Sequence, residues 1–188
     1  MDKSKNIGRF LLELFKIILI SLAIIIPVRY YLIQPFIVRG SSMEPSFSDG
    51  EYLVIDEISY RFEGPKRGDV VIFKYPKDNS QYFIKRIIGL PSETVEISDG
   101  SIIIYNNEYP EGEDIDESYL PEDLETPGDL KVSVDQDSYF VLGDNRNASS
   151  DSRIWGLLPE DDLIGRVWVR GLPTDRIGII KTPAYDYN

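Results

Sequence analysis

The chain has 188 residues, 42% of them hydrophobic, with no cysteine, no histidine and a formal net charge of −12. The missing cysteines exclude disulfides and thiolate zinc sites, and the missing histidines exclude a Ser-His-Asp triad, a Cys-His dyad and a histidine-ligated metal. Any hydrolytic base has to be Lys, Asp, Glu, Tyr or a terminal amine.

The first element in the chain is apolar, from Phe10 to Val38. Its charge-free centre, Ile17 to Val28, is roughly 18 Å of helix against a bilayer core of about 30 Å, so the flanks have to extend it. Lys16 and Arg29 can snorkel outward, Glu13 can pair with Lys16, and Tyr30 and Tyr31 suit the far interface. Pro27 is expected to kink or end the helix. A cleaved leader would need a small-residue site after the run, which Ile26-Pro27-Val28-Arg29-Tyr30-Tyr31 does not provide. A buried or interfacial helix is the other alternative to a single membrane anchor. Residues 1–40 carry six Lys/Arg against Asp2 and Glu13. With Lys3, Lys5 and Arg9 leading, they set a cytoplasmic N-terminus, with the rest of the chain outside. The expectation is a single-pass protein of the cell membrane, with the lipid bilayer as a partner. Residues 1–33 form the cytoplasmic N-terminus and anchor, and residues 34–188 an extracytoplasmic β-rich domain. The acidic remainder argues against nucleic acid as a partner.

From Gln34 the pattern changes to short β-branched and aromatic runs. Candidate strands are Phe36–Arg39, Glu51–Glu57, Asp69–Tyr75, Gln81–Ile88, Thr94–Ile97, Ser101–Tyr105, Ser138–Leu142 and Leu163–Val169. Asp99-Gly100 between two of them is a hairpin turn. No amphipathic helix follows residue 40, so the fold class is mainly β, an antiparallel sheet behind one N-terminal transmembrane helix. Between about 106 and 137 lies an insertion with twelve acids against Lys131 and three prolines, which reads as solvated and mobile. It lacks the spacing of an EF-hand, and neither a metal nor a cofactor is expected.

Three stretches carry candidate chemistry. In Gly40-Ser41-Ser42-Met43-Glu44-Pro45-Ser46, Ser42 is the candidate nucleophile, although a serine between glycine and proline is more often a turn residue. In Gln81 to Pro91, strand alternation places Phe83, Lys85 and Ile87 on one face and Ile84, Arg86 and Ile88 on the other. Both faces are largely apolar, so Lys85 or Arg86 is partly buried. A buried lysine loses its charge readily and can take a proton from a hydroxyl. An edge-strand lysine reaching solvent is the plainer reading. In Gly143 to Gly156, Asp144 with Arg146, and Asp151 with Arg153, are candidate ion pairs that brace a polar loop. Ser149 or Ser150 can hydrogen-bond a neighbouring amine.

Together these stretches resemble the type I (leader) signal peptidases, membrane-bound Ser-Lys proteases. The matching boxes are Ser42-Met43-Glu44-Pro45, Arg67-Gly68-Asp69-Val70, Lys85-Arg86-Ile87-Ile88-Gly89-Leu90-Pro91 and the run from Gly143 to Gly156. The resemblance implies Ser42 as nucleophile and Lys85 as general base. It also implies Ser149 as the residue orienting the amine, and Asp144, Arg146, Asp151 and Arg153 as the supporting loop. The Ser42 backbone N–H would contribute to the oxyanion hole. Gly40 stands where some relatives place a second hydroxyl donor, and Ser46 where threonine is usual. The implied substrates are the signal peptides of secretory pre-proteins, cut after small residues. Two other classes are alternatives. A self-cleaving Ser-Lys regulator would need a DNA-binding domain or cleavable linker where the anchor stands. A membrane-tethered, non-catalytic β binding module would not need Ser42, Lys85 and Ser149 together.

Overall fold

The computed structural model describes residues 3–31, 34–183 and 185. Helix α1 covers Lys3–Tyr31, roughly 44 Å at 1.5 Å per residue. It runs through Pro27 instead of ending there. Its described side chains point outward, with Phe10, Phe15, Ile17 and Ile24 more than half exposed. Glu13 pairs with Arg9 one turn back, at 3.7 Å, and not with Lys16. Among the described residues no helix is long and apolar enough to cross a membrane. Beyond α1 the only α-helical turn among them is α2, Ser152–Trp155.

The rest is β. The strands are β1 Gln34–Ile37, β2 Tyr52–Asp56, β3 Val70–Tyr75, β4 Asp78–Gly89, β5 Thr94–Ser98, β6 Ser101–Tyr105, β7 Glu113–Asp114, β8 Leu130–Ser133, β9 Ser138–Leu142, β10 Leu158–Pro159, β11 Leu163–Leu172 and β12 Gly178–Ile179. They form an eight-stranded sheet, ordered β1-β2-β11-β3-β4-β9-β10 with β12 on β11, and a four-stranded sheet ordered β7-β6-β5-β8. Every pairing is antiparallel. The Asp99-Gly100 hairpin between β5 and β6 is present, both residues with positive φ, as the tight turn requires. The first strand begins and ends two residues earlier than expected, because the chain turns away at Val38 to enter the Gly40 loop. Strand β4 starts at Asp78, pulled into pairing by the tight connection that sets Tyr75 against Asp78.

Period-two alternation divides the core. Val70 and Ile72 of β3 face one cluster with Met43, Phe47, Leu53 and Ile55. Val71 and Phe73 face another with Ile87, Val141, Trp155 and Leu158. The small sheet packs Val95, Ile97, Ile102 and Ile104 against Ile88, Phe140 and Leu142. The acidic stretch is anchored to this body, not free in solvent. Ile115 and Leu120 are buried, β7 and β8 pair with the small sheet, and Thr126 donates its N–H to Gly100 at 2.8 Å. Most of its acids face solvent while its apolar side chains point in, and Glu117 turns inward to the buried Arg146.

Candidate active site

The Gly40–Ser46 loop leaves β1 at a point fixed by two backbone bonds, Val38 N–H to Glu51 O (2.9 Å) and Gly50 N–H to Val38 O (3.0 Å). Gly40 takes φ +81°, which favours glycine, and donates to Asp49 Oδ1 at 2.8 Å. Met43 and Phe47 sink into the core and pin the loop from below. From the side, the Arg170 guanidinium donates to Ser46 O at 2.5 Å. Arg170 and Arg176 each meet the buried Glu51 carboxylate at 2.7 Å. Ser42 is thereby held half-exposed on a loop tied into the core.

Strand β4 carries both Lys85 and Arg86, which are 3% and 4% exposed, so the sequence alternative of one or the other resolves to both. The Lys85 Nζ amine donates to Ser42 Oγ at 2.8 Å and to Ile84 O at 2.8 Å. Burial lowers the Lys85 pKa from 10.5 to about 8, against the smaller opposing pull of Asp151 and Asp144. A buried amine close to neutrality, touching a hydroxyl, can accept that hydroxyl's proton.

The Gly143–Gly156 loop packs behind this pair. Asn145 N–H donates to Ser42 O and Asn145 Nδ2 to Ser41 O, each at 3.1 Å. Gly143 leaves no room for a side chain, since a Cβ there would overlap Ser42 O and Ser149 Oγ. Asp151 accepts from Gly143 N–H at 3.1 Å and from Arg153 Nε and Nη2 at 2.8 Å, so the expected Asp151–Arg153 pair is formed. The expected Asp144–Arg146 pair is not. Asp144, fully buried, takes a bidentate bond from Arg86 (2.8 and 2.5 Å), because β4 and β9 run side by side and bring position 86 against the end of β9. Arg146 turns the other way, to Glu117 of the acidic stretch. Ser149 Oγ is buried, with no hydrogen-bond partner among the described residues, so the expected bond to the Lys85 amine is absent. The Arg67-Gly68-Asp69-Val70 run supports β4 from its other side. Gly68 O accepts from Arg86 Nη1 at 2.9 Å, and Arg67 pairs with Glu93 at 2.6 Å.

Ser42 and Lys85 open onto a groove of about 360 Å³ lined by Phe36, Ile37, Val38, Leu53, Ile72, Tyr82, Phe83 and Ile84, with Arg39 and Ser150 at its wall. Phe36 and Tyr82 meet edge-on across it at 5.8 Å. Both sides are strand edges: among the described residues β1 pairs only with β2, and β4 acquires its β9 neighbour only from Arg86 onward. Each strand thus leaves an edge without a strand partner among the described residues beside the groove, the kind of edge to which an extended peptide can add. The Ser42 N–H is also without a partner among the described residues. Sequence reasoning missed the groove walls Phe36, Val38 and Tyr82, and it missed Glu51, Arg170 and Arg176. Those residues lie on separate strands, and only pairing brings them together.

A serine hydroxyl against a buried amine, beside an apolar groove with open strand edges, is a constellation a histidine-free serine hydrolase can use. The chain belongs to the signal peptidase family, peptidase S26, and is a peptide-bond hydrolase: the sequence model of that family matches residues 11–172. Similar chains include a probable signal peptidase I-2 of Synechocystis sp., 39% identical over 180 residues that cover 92% of this chain and 78% of the relative. The signal peptidase I of Leptolyngbya laminosa is 34% identical over 184 residues, 92% of this chain and 85% of that one. The signal peptidase IB of Staphylococcus aureus is 31% identical over 174 residues, 87% and 90%. Among solved structures, a signal peptidase I from Enterococcus faecalis V583 is similar at 30% identity, with a TM-score of 0.47 covering 56% of this chain and 97% of that one.

Proposed function

We propose that the chain removes N-terminal signal peptides from exported pre-proteins, with Ser42 as nucleophile, Lys85 as general base and α1 as the tether to the cell membrane. The observation that carries the reading is the 2.8 Å bond between the buried Lys85 amine and Ser42 Oγ. The substrate lies extended in the groove with its scissile carbonyl over Ser42. Lys85 takes the Ser42 proton as Oγ attacks, and the Ser42 N–H donates to the oxyanion. The Lys85 ammonium then returns the proton to the leaving amine, which departs as the new N-terminus of the mature protein. Water, deprotonated by Lys85 in turn, hydrolyses the ester on Ser42 and frees the signal peptide with a carboxylate end. Asp144, Arg146, Asp151 and Arg153 hold the loop behind this pair, and Ser149 steadies the amine during turnover. Tethering rests on the charge-free run from Ile17 to Val28, on the outward apolar side chains of α1, and on Lys3, Lys5 and Arg9 before them.

The test uses the full chain and a pre-protein. Ser42→Ala and Lys85→Arg should each abolish cleavage while circular dichroism still reports the β fold. Guanidinium does not deprotonate in proteins, so substantial activity in Lys85→Arg would remove Lys85 from the role of base.

A further inference from the structure

Among the described residues Arg146 is the largest fully buried side chain, 1% exposed. A guanidinium has five N–H donors, and all five are engaged. Nε donates to Gly143 O at 3.1 Å. Nη1 donates to Glu117 Oε2 at 2.6 Å and to Thr126 Oγ1. Nη2 donates to Glu117 Oε1 and to Tyr119 OH at 3.1 Å. Four of the five bonds therefore run to the acidic stretch, and the fifth holds Gly143, the residue whose bare Cα lets Ser42 O and Ser149 Oγ close in.

Tyr119 does a second thing. Its hydroxyl donates to Glu117 Oε1 at 2.6 Å, and its ring face lies 4.1 Å from the Arg86 guanidinium carbon, beside the Asp144 that Arg86 holds. The ring covers one face of the Arg86 guanidinium and contributes a cation–π contact. One short segment thus grips both arginines that flank the reacting pair: Arg86, the chain neighbour of Lys85, and Arg146, in the loop behind Ser42. None of its residues lines the groove.

We propose that Glu117 and Tyr119 are positioning residues for catalysis, and that residues 113–126 serve as a clamp on the Gly143–Arg153 loop and on β4. The proposal rests on the assignment of Ser42 and Lys85 above. Because the clamp lies off the groove, it acts on turnover and leaves substrate binding alone. Partners that orient the ligands of a metal centre change activity about 10–100-fold when removed, and the same scale is expected for residues that position an amine and a hydroxyl.

The experiment measures kcat and KM for a pre-protein substrate in Glu117→Gln, Tyr119→Ala, Tyr119→Phe, Arg146→Gln and the Glu117→Gln/Arg146→Gln pair, with Ser42→Ala alongside. Thermal unfolding confirms that each variant is folded at the assay temperature. Glu117→Gln and Tyr119→Ala should lower kcat about 10–100-fold with KM within about twofold of wild type. Tyr119→Phe keeps the ring on Arg86 and should recover most of the loss. The double variant should lose no more than the worse single, because both remove one interaction. Folded Glu117→Gln and Tyr119→Ala proteins with wild-type kcat would overturn the clamp, as would losses in KM alone, or a Phe variant as slow as the Ala variant. If Ser42→Ala is itself active, the assignment of the site fails instead. A dead Ser42→Ala beside fully active Tyr119→Ala removes only the clamp.

Discussion

Replacing Lys85 by Met should stabilise the protein at neutral pH while destroying its activity. The amine titrates at about 8 in the folded chain against 10.5 unperturbed, with burial the largest cause and Asp151 and Asp144 opposing it. At 1.36 kcal/mol per pKa unit, that difference is roughly 3 kcal/mol. The folded state holds the proton less tightly than the unfolded chain does. Below pH 8 both states carry it, and the native state bears the whole penalty. Between about 8 and 10.5 the penalty shrinks, and above 10.5 it is gone. Met fills a similar volume without the charge. It also leaves Ser42 Oγ and Ile84 O without their amine donor, worth about 1 kcal/mol each. The net expectation is a gain of about 1 kcal/mol at pH 7, turning into a loss of about 2 kcal/mol above pH 10.5. Urea unfolding of the full chain at pH 7 and pH 10, read by Trp155 and Trp168 fluorescence, measures both gaps. In wild type the same titration should raise kcat/KM about tenfold per pH unit up to about 8 and then level off. A Met variant less stable than wild type at pH 7, or a gap indifferent to pH, would refute the idea that Lys85 is held against its charge.

Other outcomes follow from the same geometry. Gly143→Ala sets a methyl into Ser42 O and Ser149 Oγ; it should cost about 1–3 kcal/mol in unfolding free energy and about 100-fold in kcat, since the loop must move. Ser149→Ala removes a buried hydroxyl without a partner among the described residues, so stability should hold or rise while turnover falls by up to the roughly 10²–10⁴-fold range of general-base effects; unchanged turnover would shift suspicion to Ser150 at the groove. In the substrate, Phe in place of the small residue one or three positions before the cut should end processing on gels, because bulk does not fit a packed wall. Protease added to intact spheroplasts should digest the chain beyond residue 40, and full protection would contradict the single-anchor topology.

What was legible in the sequence was whatever depends on near neighbours. Asp99-Gly100 specifies its hairpin by local backbone preference alone, and β5 and β6 follow from it. Alternation along β4 predicted burial near Lys85 correctly, but it could not name the partner: Ser42 lies 43 residues away and meets the amine only through the loop after β1. The same limit produced the wrong ion pair. Asp144 and Arg146 are close in sequence, whereas their true partners, Arg86 and Glu117, lie 58 and 29 residues off. Glu117 was one acid among twelve, and nothing local separates it from those that face water. Strand β8 was hidden for a similar reason. Leu130–Ser133 is short and sits in an acidic context, and its pairing with β5, not its composition, makes it a strand.

The two bare strand edges beside Ser42 have a consequence for the proteins passing through. Hydrogen bonds to main-chain amides are available to nearly every residue, so in the proposed reading most of the groove's hold on a client is indifferent to what the client spells. On that reading only the positions whose side chains press on the apolar wall are constrained, and there by size, which leaves the rest of a client's sequence free to vary. The exception would be proline at a position whose N–H should pair with an edge, which would go unprocessed however small its neighbours.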